Sequence, residues 1–262
     1  MFDQESVIAM LIVLVLLAAL GGWGLFTWNK TRYTLAQAAL YFINTLFTRV
    51  LWRTTLSGPL SVPPGQGAVI VCNHSSGIDP LLIQLTTDRV VHWMVAREYI
   101  SHPAMAWAFR MLKSIPVNRG GIDTAATRQA IRLVREGGLV GLFPEARVNL
   151  TNELLLPGRP GAAMIALRAK APVIPCYVSD APYDGTALGS FLMTAKAHVK
   201  VGQPIDLSPY YGREKESGVL QDLTRRFLIE IARLAGVENY EPKLAGKNGP
   251  PAKNPKRQSA EP

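Results

Sequence analysis

Hydrophobic positions divide the chain into three stretches with different periods. Val7 to Phe26 is a run of twenty residues without a charge, which as a helix would extend about 30 Å and match the hydrocarbon thickness of a bilayer. Asp3 and Glu5 precede it, and Lys30 and Arg32 follow. That is the reverse of the basic leader of a cleaved secretory signal, so the run reads as an uncleaved transmembrane helix. The cations behind it put the C-terminal body on the cytoplasmic side, with Trp23 and Trp28 suited to the interface.

In the second stretch Leu35, Ala38, Ala39, Phe42, Ile43, Leu46, Phe47, Val50 and Leu51 recur at steps of three and four, the signature of an amphipathic helix with one continuous apolar face. Such a face can be buried on a globular core or in a membrane interface. Its position behind the anchor and the nearby Arg49 and Arg53 favour the membrane.

From Gly58 onward short apolar runs alternate with helical stretches, as when crossover helices link parallel strands. Residues 68–72, 90–95, 139–143, 173–178 and 198–201 read as strands. Residues 80–85, 103–112, 124–135, 161–169 and 218–235 read as helices, with Asp123 as N-cap and Gly137–Gly138 as terminator of the third. The expected fold is therefore α/β: a single domain with a mostly parallel central sheet flanked by helices, preceded by the transmembrane helix and the amphipathic helix. The boundaries fall at 1–30 for the anchor, 31–57 for the amphipathic element, 58–240 for the domain and 241–262 for a solvated basic tail.

Composition adds limits to this outline. With 262 residues, 48% hydrophobic and 18% charged, the chain can bury one substantial core but hardly two. Cys72 and Cys176 lie in apolar strands and read as reduced, buried thiols. The net charge of +9 is uneven: residues 31–60 and the tail from Lys243 carry most of the excess. The body is nearly balanced and has no basic helix interleaved with aromatics, which argues against a nucleic-acid partner. No P-loop, dinucleotide fingerprint or zinc-ligand spacing is present.

Candidate chemistry starts where the first long strand ends, at Asn73-His74-Ser75-Ser76-Gly77-Ile78-Asp79-Pro80. A histidine at a strand terminus and an aspartate at the next helix entry can fold together, the carboxylate fixing one ring nitrogen and leaving the other to take a proton. The same aspartate also suits a plain helix cap. Ser75 and Ser76 lack a nucleophile-elbow context and read as loop hydrogen-bonders. His92, His102 and His198 have no ligand neighbours in sequence. Two further strand ends carry Ile115-Pro116-Val117-Asn118-Arg119 and Phe143-Pro144-Glu145-Ala146-Arg147. Ligands gather at the carboxyl ends of strands in such sheets, where Arg119 and Arg147 could grip a phosphate and Glu145 accept from a hydroxyl.

These blocks, with Val173-Ile174-Pro175 as a fourth, resemble the glycerolipid acyltransferase family (1-acylglycerol-3-phosphate acyltransferase-like) over roughly residues 55–205. The family's third block is commonly Phe-Pro-Glu-Gly-Thr-Arg-Ser; here Ala146 replaces the glycine and Arg147 comes one place early. That variant is closer to lysophospholipid acyltransferases fused to acyl-carrier-protein synthetases. The resemblance implies that His74 is the general base and Asp79 its partner, that Arg119 and Arg147 bind the acceptor phosphate, and that Glu145 positions the glycerol. It implies a lysophospholipid acceptor and an acyl thioester, acyl-CoA or acyl-carrier protein, as co-substrate, with no metal or other cofactor. Two alternatives remain: an acyltransferase for another acceptor, such as lysophosphatidylethanolamine or a lyso-aminolipid, and a non-catalytic membrane-tethered lipid-binding protein.

Overall fold

The computed structural model describes residues 33–246 except 102, 104, 119–122, 184 and 186–188, together with Val15, Gly21 and Gly22. Apart from those three residues the expected transmembrane helix at Val7 to Phe26 lies outside the described residues, as does the candidate residue Arg119. Among the described residues no helix is long and apolar enough to cross a membrane.

Seven strands form one sheet: β1 (Thr55–Ser57), β2 (Ala68–Cys72), β3 (Val91–Ala96), β4 (Ile115–Val117), β5 (Leu139–Leu142), β6 (Val173–Ser179) and β7 (His198–Val201). Their order is β1-β7-β6-β2-β5-β3-β4. The five strands from β6 to β4 are mutually parallel; β7 runs antiparallel to β6, and β1 parallel to β7. The mostly parallel sheet expected from the alternating pattern is thus present. β1 and β4, absent from the list of strands read from the pattern, occupy its two edges. Three residues each are too few to show a period of two.

The helices are α1 (Leu35–Leu46), α2 (Asp79–Gln84), α3 (Arg97–Ile100), α4 (Ala106–Met111), α5 (Thr124–Arg135), α6 (Gly161–Ala169) and α7 (Val219–Ala235). Asp123 caps α5 as expected, accepting from the N–H groups of Ala125 and Ala126. Every residue of β2 and β5 is buried, as central parallel strands with both faces covered must be. Alternation sorts their side chains onto two cores. Val69, Val71, Val140 and Leu142 pack with α5, α6 and α7 on one face. Ala68, Ile70, Cys72, Leu139, Trp93 and Ile174 pack with Ile78, Leu82 and Ile83 from the segment around α2, and with Trp52, on the other. Cys72 and Cys176 are buried, free thiols, and burial pushes Cys176 up to about 12.

Helix α1 lies on the second face, and it is turned inside out relative to an ordinary surface helix. Thr34 and Gln37 form a capping box at its start. The Gln37 amide also donates to the Met111 carbonyl, and the Asn44 amide donates to the Leu81 carbonyl. Gln37, Asn44 and Thr48 are buried, whereas Leu35, Ile43, Leu46 and Val50 are 50% to 72% exposed. The helix therefore docks on the body through its polar side and turns most of its apolar stripe outward, while Phe47 and Leu51 at the stripe's end pack against the core. A π-helical turn at Phe47–Leu51 then releases the chain and drops Trp52, fully buried, into the core. At the other end, residues 243–245 stay against the body, Lys243 and Ala245 exchanging backbone hydrogen bonds with Gly158, so contact with the domain extends past residue 240.

Candidate active site

β2 and β5 are neighbours, with Val71 opposite Leu142, so the residues that follow leave the sheet side by side. His74 and Phe143 thereby meet at its carboxyl end. The His74 Nδ1 lies 3.0 Å from Asp79 Oδ2. Asp79 opens α2 and is completely buried. Its carboxylate also accepts from the Ser75 and Ser76 N–H groups, both at 2.8 Å, and from the Ser75 hydroxyl at 3.3 Å. Asp79 is therefore not merely a helix cap. It folds the loop back on itself and holds the imidazole with Nδ1–H donating, which leaves Nε2 as the basic nitrogen. The His74 side chain is 15% exposed, so that nitrogen belongs to a ring that solvent and substrate can reach.

The loop is fixed at every turn. The Asn73 side-chain amide pairs both ways with the Val178 backbone on β6 at 2.8 Å, and the Ser76 hydroxyl donates to the Pro182 carbonyl. The His74 carbonyl accepts from the Asn149 N–H at 2.6 Å, and the His74 N–H donates to Glu145 Oε1 at 2.8 Å. The other oxygen, Glu145 Oε2, accepts from the Leu156 N–H at 2.8 Å. Glu145 is only 3% exposed. With both oxygens engaged by backbone donors, its place is that of a brace joining the His74 loop to the segment after β5, which differs from the glycerol-positioning role implied by the resemblance. Arg147 is exposed beside it. The serines behave as loop hydrogen-bonders, and His92 packs with Nδ1 3.0 Å from the Leu112 carbonyl.

Two aromatic contacts were invisible to motif reading. The Phe143 ring stacks on the His74 imidazole, with centroids 3.8 Å apart and planes 5° from parallel. Trp93 stacks on the far side of that assembly, 4.9 Å from Phe143 at 17°. Phe143 belongs to the block that carries Glu145, but nothing in that motif assigns its ring a partner, and Trp93 is one apolar residue among several in β3. Only the spacing of strand pairs brings them together.

The chain is similar to known acyltransferases. The sequence pattern of the family described as Acyltransferase matches residues 53–179, spanning both loops. The 1-acyl-sn-glycerol-3-phosphate acyltransferase of Bacillus subtilis (strain 168) is 26% identical over 171 residues, covering 63% of this chain and 82% of that protein. The 1-acyl-sn-glycerol-3-phosphate acyltransferase alpha of Mus musculus is 30% identical over 132 residues, covering 49% of this chain and 46% of that one. Over this region the chain is similar to the glycerolipid acyltransferases. The crystal structure of the 1-acyl-sn-glycerophosphate acyltransferase of Thermotoga maritima shares the fold, with a TM-score of 0.58 at 20% identity over 85% of this chain and 90% of that one. The chain spans less than half the length of the mouse relative.

Relative to those proteins, this O-acyltransferase departs from the usual third block at one informative place. Ala146, where the block commonly has glycine, sits at φ +58°, the left-handed region in which a Cβ meets the following carbonyl oxygen. Its N–H closes a tight turn on the Phe143 carbonyl at 3.0 Å, and that turn aims Glu145 inward. The glycine of the family block is thus explained by backbone geometry, and alanine carries the strain here. Ala146→Gly should stabilise the fold by about 0.5–1 kcal/mol, the relief of strain less the added chain entropy. It should be read as a higher denaturant midpoint at unchanged slope.

Burial raises the Glu145 carboxyl to about 7; the Leu156 and His74 N–H groups oppose the shift, the Asp79 charge adds to it and Arg147 opposes it least. A carboxyl raised in the folded state holds its proton more tightly there than in the unfolded chain. Its contribution is therefore most favourable at low pH and declines as pH rises from about 4.5 to about 7. The decline is at most roughly 3 kcal/mol. Glu145→Gln should lack this slope when unfolding is followed between pH 4 and 8. It should also lower turnover, because an amide nitrogen would face one of the two backbone N–H groups and loosen the His74 loop. A variant with the native slope would show that Glu145 does not titrate in this window.

Proposed function

We propose that this acyltransferase moves a fatty acyl group from an acyl thioester, acyl-CoA or acyl-carrier protein, to the free hydroxyl of 1-acylglycerol-3-phosphate, giving phosphatidate. The observation that carries the reading is the His74 imidazole, held through Nδ1 by a buried carboxylate with Nε2 left basic. In this scheme Nε2 removes the proton of the acceptor hydroxyl as its oxygen attacks the thioester carbonyl. The tetrahedral intermediate collapses by breaking the carbon–sulfur bond, and the imidazolium returns its proton to the departing sulfur. Asp79 holds the ring in one tautomer and supports its positive charge. Exposed Arg147, with Arg119, binds the acceptor phosphate through charge-assisted hydrogen bonds. The names of the Bacillus and mouse relatives support this acceptor.

The outward stripe of α1 supports a membrane setting. Leu35, Ile43, Leu46 and Val50 form an exposed apolar row on the same face of the sheet as Phe143 and Trp93. Nearby, Phe47 touches Phe191, which is followed by exposed Leu192 and Met193. A helix of this kind buries its row at the boundary of head groups and acyl chains, which keeps the amphiphilic acceptor and product in the bilayer during reaction. The charge order around residues 7–26 would leave the catalytic body on the cytoplasmic side.

Two measurements test this function. Purified full-length protein given labelled acyl thioester and a panel of lysophospholipids should label phosphatidate. His74→Ala and Asp79→Ala should each lower turnover about a hundredfold or more. Label in a different lipid class would assign another acceptor, and retained turnover in a folded His74→Ala protein would remove the mechanism. Separately, Leu46→Gln combined with Val50→Gln should reduce turnover of acceptor embedded in vesicles several-fold while sparing a short-chain acceptor dispersed in water. Equal loss on both would show that the stripe serves stability and not the bilayer.

A further inference from the structure

A single hydrogen bond at Nδ1 anchors one atom of the His74 ring, but it does not fix the plane of the ring. Something else must stop the imidazole from swinging Nε2 away from a substrate. The nearly parallel Phe143 face, 3.8 Å away, does this on one side. Phe143 itself is only partly buried, packed at the margin of the core, and needs a backing of its own. The indole of Trp93 supplies it at 4.9 Å.

We propose that Trp93 is a positioning residue for acyl transfer, acting through Phe143 to hold the His74 ring plane, and that Gly141 is the residue that lets it do so. Trp93 and Gly141 are directly opposite on β3 and β5. A Cβ at Gly141 would lie 2.7 Å from Cε3, 2.8 Å from Cδ2 and 2.9 Å from Cε2 of the indole, contacts that atoms essentially never make. Glycine therefore lets the indole lie flat on the strand, at the height that places its face against Phe143. The three rings follow one another across three adjacent strands, from the β2 loop to the end of β5 to the middle of β3. Trp93 is 5% exposed, which places it out of reach of substrate and makes its action indirect. The ladder also suits the reaction's charge, because the imidazolium formed when Nε2 takes a proton lies over an aromatic face that attracts cations.

This inference rests on the acyl-transfer reading for its kinetic part and on geometry alone for its spectroscopic part. The experiment uses full-length protein with 13C-labelled histidine. The chain has four histidines, and His74→Ala identifies the His74 ring resonances. In the native protein these should be displaced upfield by the stacked ring. Trp93→Leu and, separately, Gly141→Ala should each move them back toward ordinary values and lower kcat about tenfold, with KM for the acceptor changed less than twofold. Trp93→Phe, which keeps an aromatic face, should recover most of both. Either folded variant retaining the native resonance positions and kcat overturns the proposal. So does a loss in kcat that Trp93→Phe fails to recover, because Trp93 would then act by bulk or by its own polar group. If the native protein transfers no acyl group to any acceptor, the reaction assignment fails, while the resonance positions still decide whether Trp93 and Gly141 set the ring.

Discussion

Burying the Asp79 carboxylate completely would cost several kcal/mol if nothing replaced its water, and the loop after β2 is shaped by that requirement. Oδ2 alone collects the Ser75 and Ser76 N–H groups and the imidazole Nδ1–H. Backbone donors can converge in this way only if the chain between residues 74 and 79 curls tightly around the carboxylate. The curl in turn delivers His74 to the rim of the sheet, its side chain 15% exposed. The His74–Asp79 pair and the shape of the loop are consequences of one solvation problem.

A loop curled around a charge still has to be attached to something rigid. Here the attachments come from both neighbouring strands. Asn73 grips the backbone of β6 with both atoms of its amide, and Glu145 reaches back from the end of β5 to the His74 N–H. Glu145 is itself a buried carboxylate, but with two backbone donors in place of Asp79's four hydrogen bonds. Burial, only partly opposed by those two donors, pushes its carboxyl up to about 7. The second brace is thus the weaker one, and the strained turn at Ala146 that aims it adds to its cost. The aromatic ladder restrains the same ring by a third means, contact without hydrogen bonds, so three separate interactions fix where Nε2 points.

Much of this was legible in the sequence because it is local. The long strands announce themselves as short apolar runs and the helices through a period of 3.6, α5 also through its Asp123 cap and glycine stop. The His74–Asp79 pair lies within six residues, so its closure needs only one turn of chain. What escaped depends on strand order. Glu145 carries the right chemistry for a hydroxyl partner; nothing local reveals that the His74 and Leu156 N–H groups reach its oxygens first. Trp93 is separated from His74 by 19 positions and joined to it only through β5, which enters the sheet between β2 and β3 after both are made. Edge strands β1 and β4 were faint because three residues contain little more than one period.

The inverted helix α1 shows why a hydrophobic pattern gives an element but not its orientation. Both environments open to the apolar stripe predict the same helix, and the choice between them is made by the opposite face. Gln37 and Asn44 each find a backbone carbonyl on the body at 2.9 Å, and Thr48 satisfies its hydroxyl on the helix itself. Hydrogen bonds of this kind are directional and tolerate little sliding, so they seat the helix in one register where an apolar contact would allow several. The apolar row is then presented at a fixed angle to the sheet face that carries the His74 ladder. If that row lies in a bilayer, the depth and tilt of the active site are set by two amide side chains rather than by the lipid.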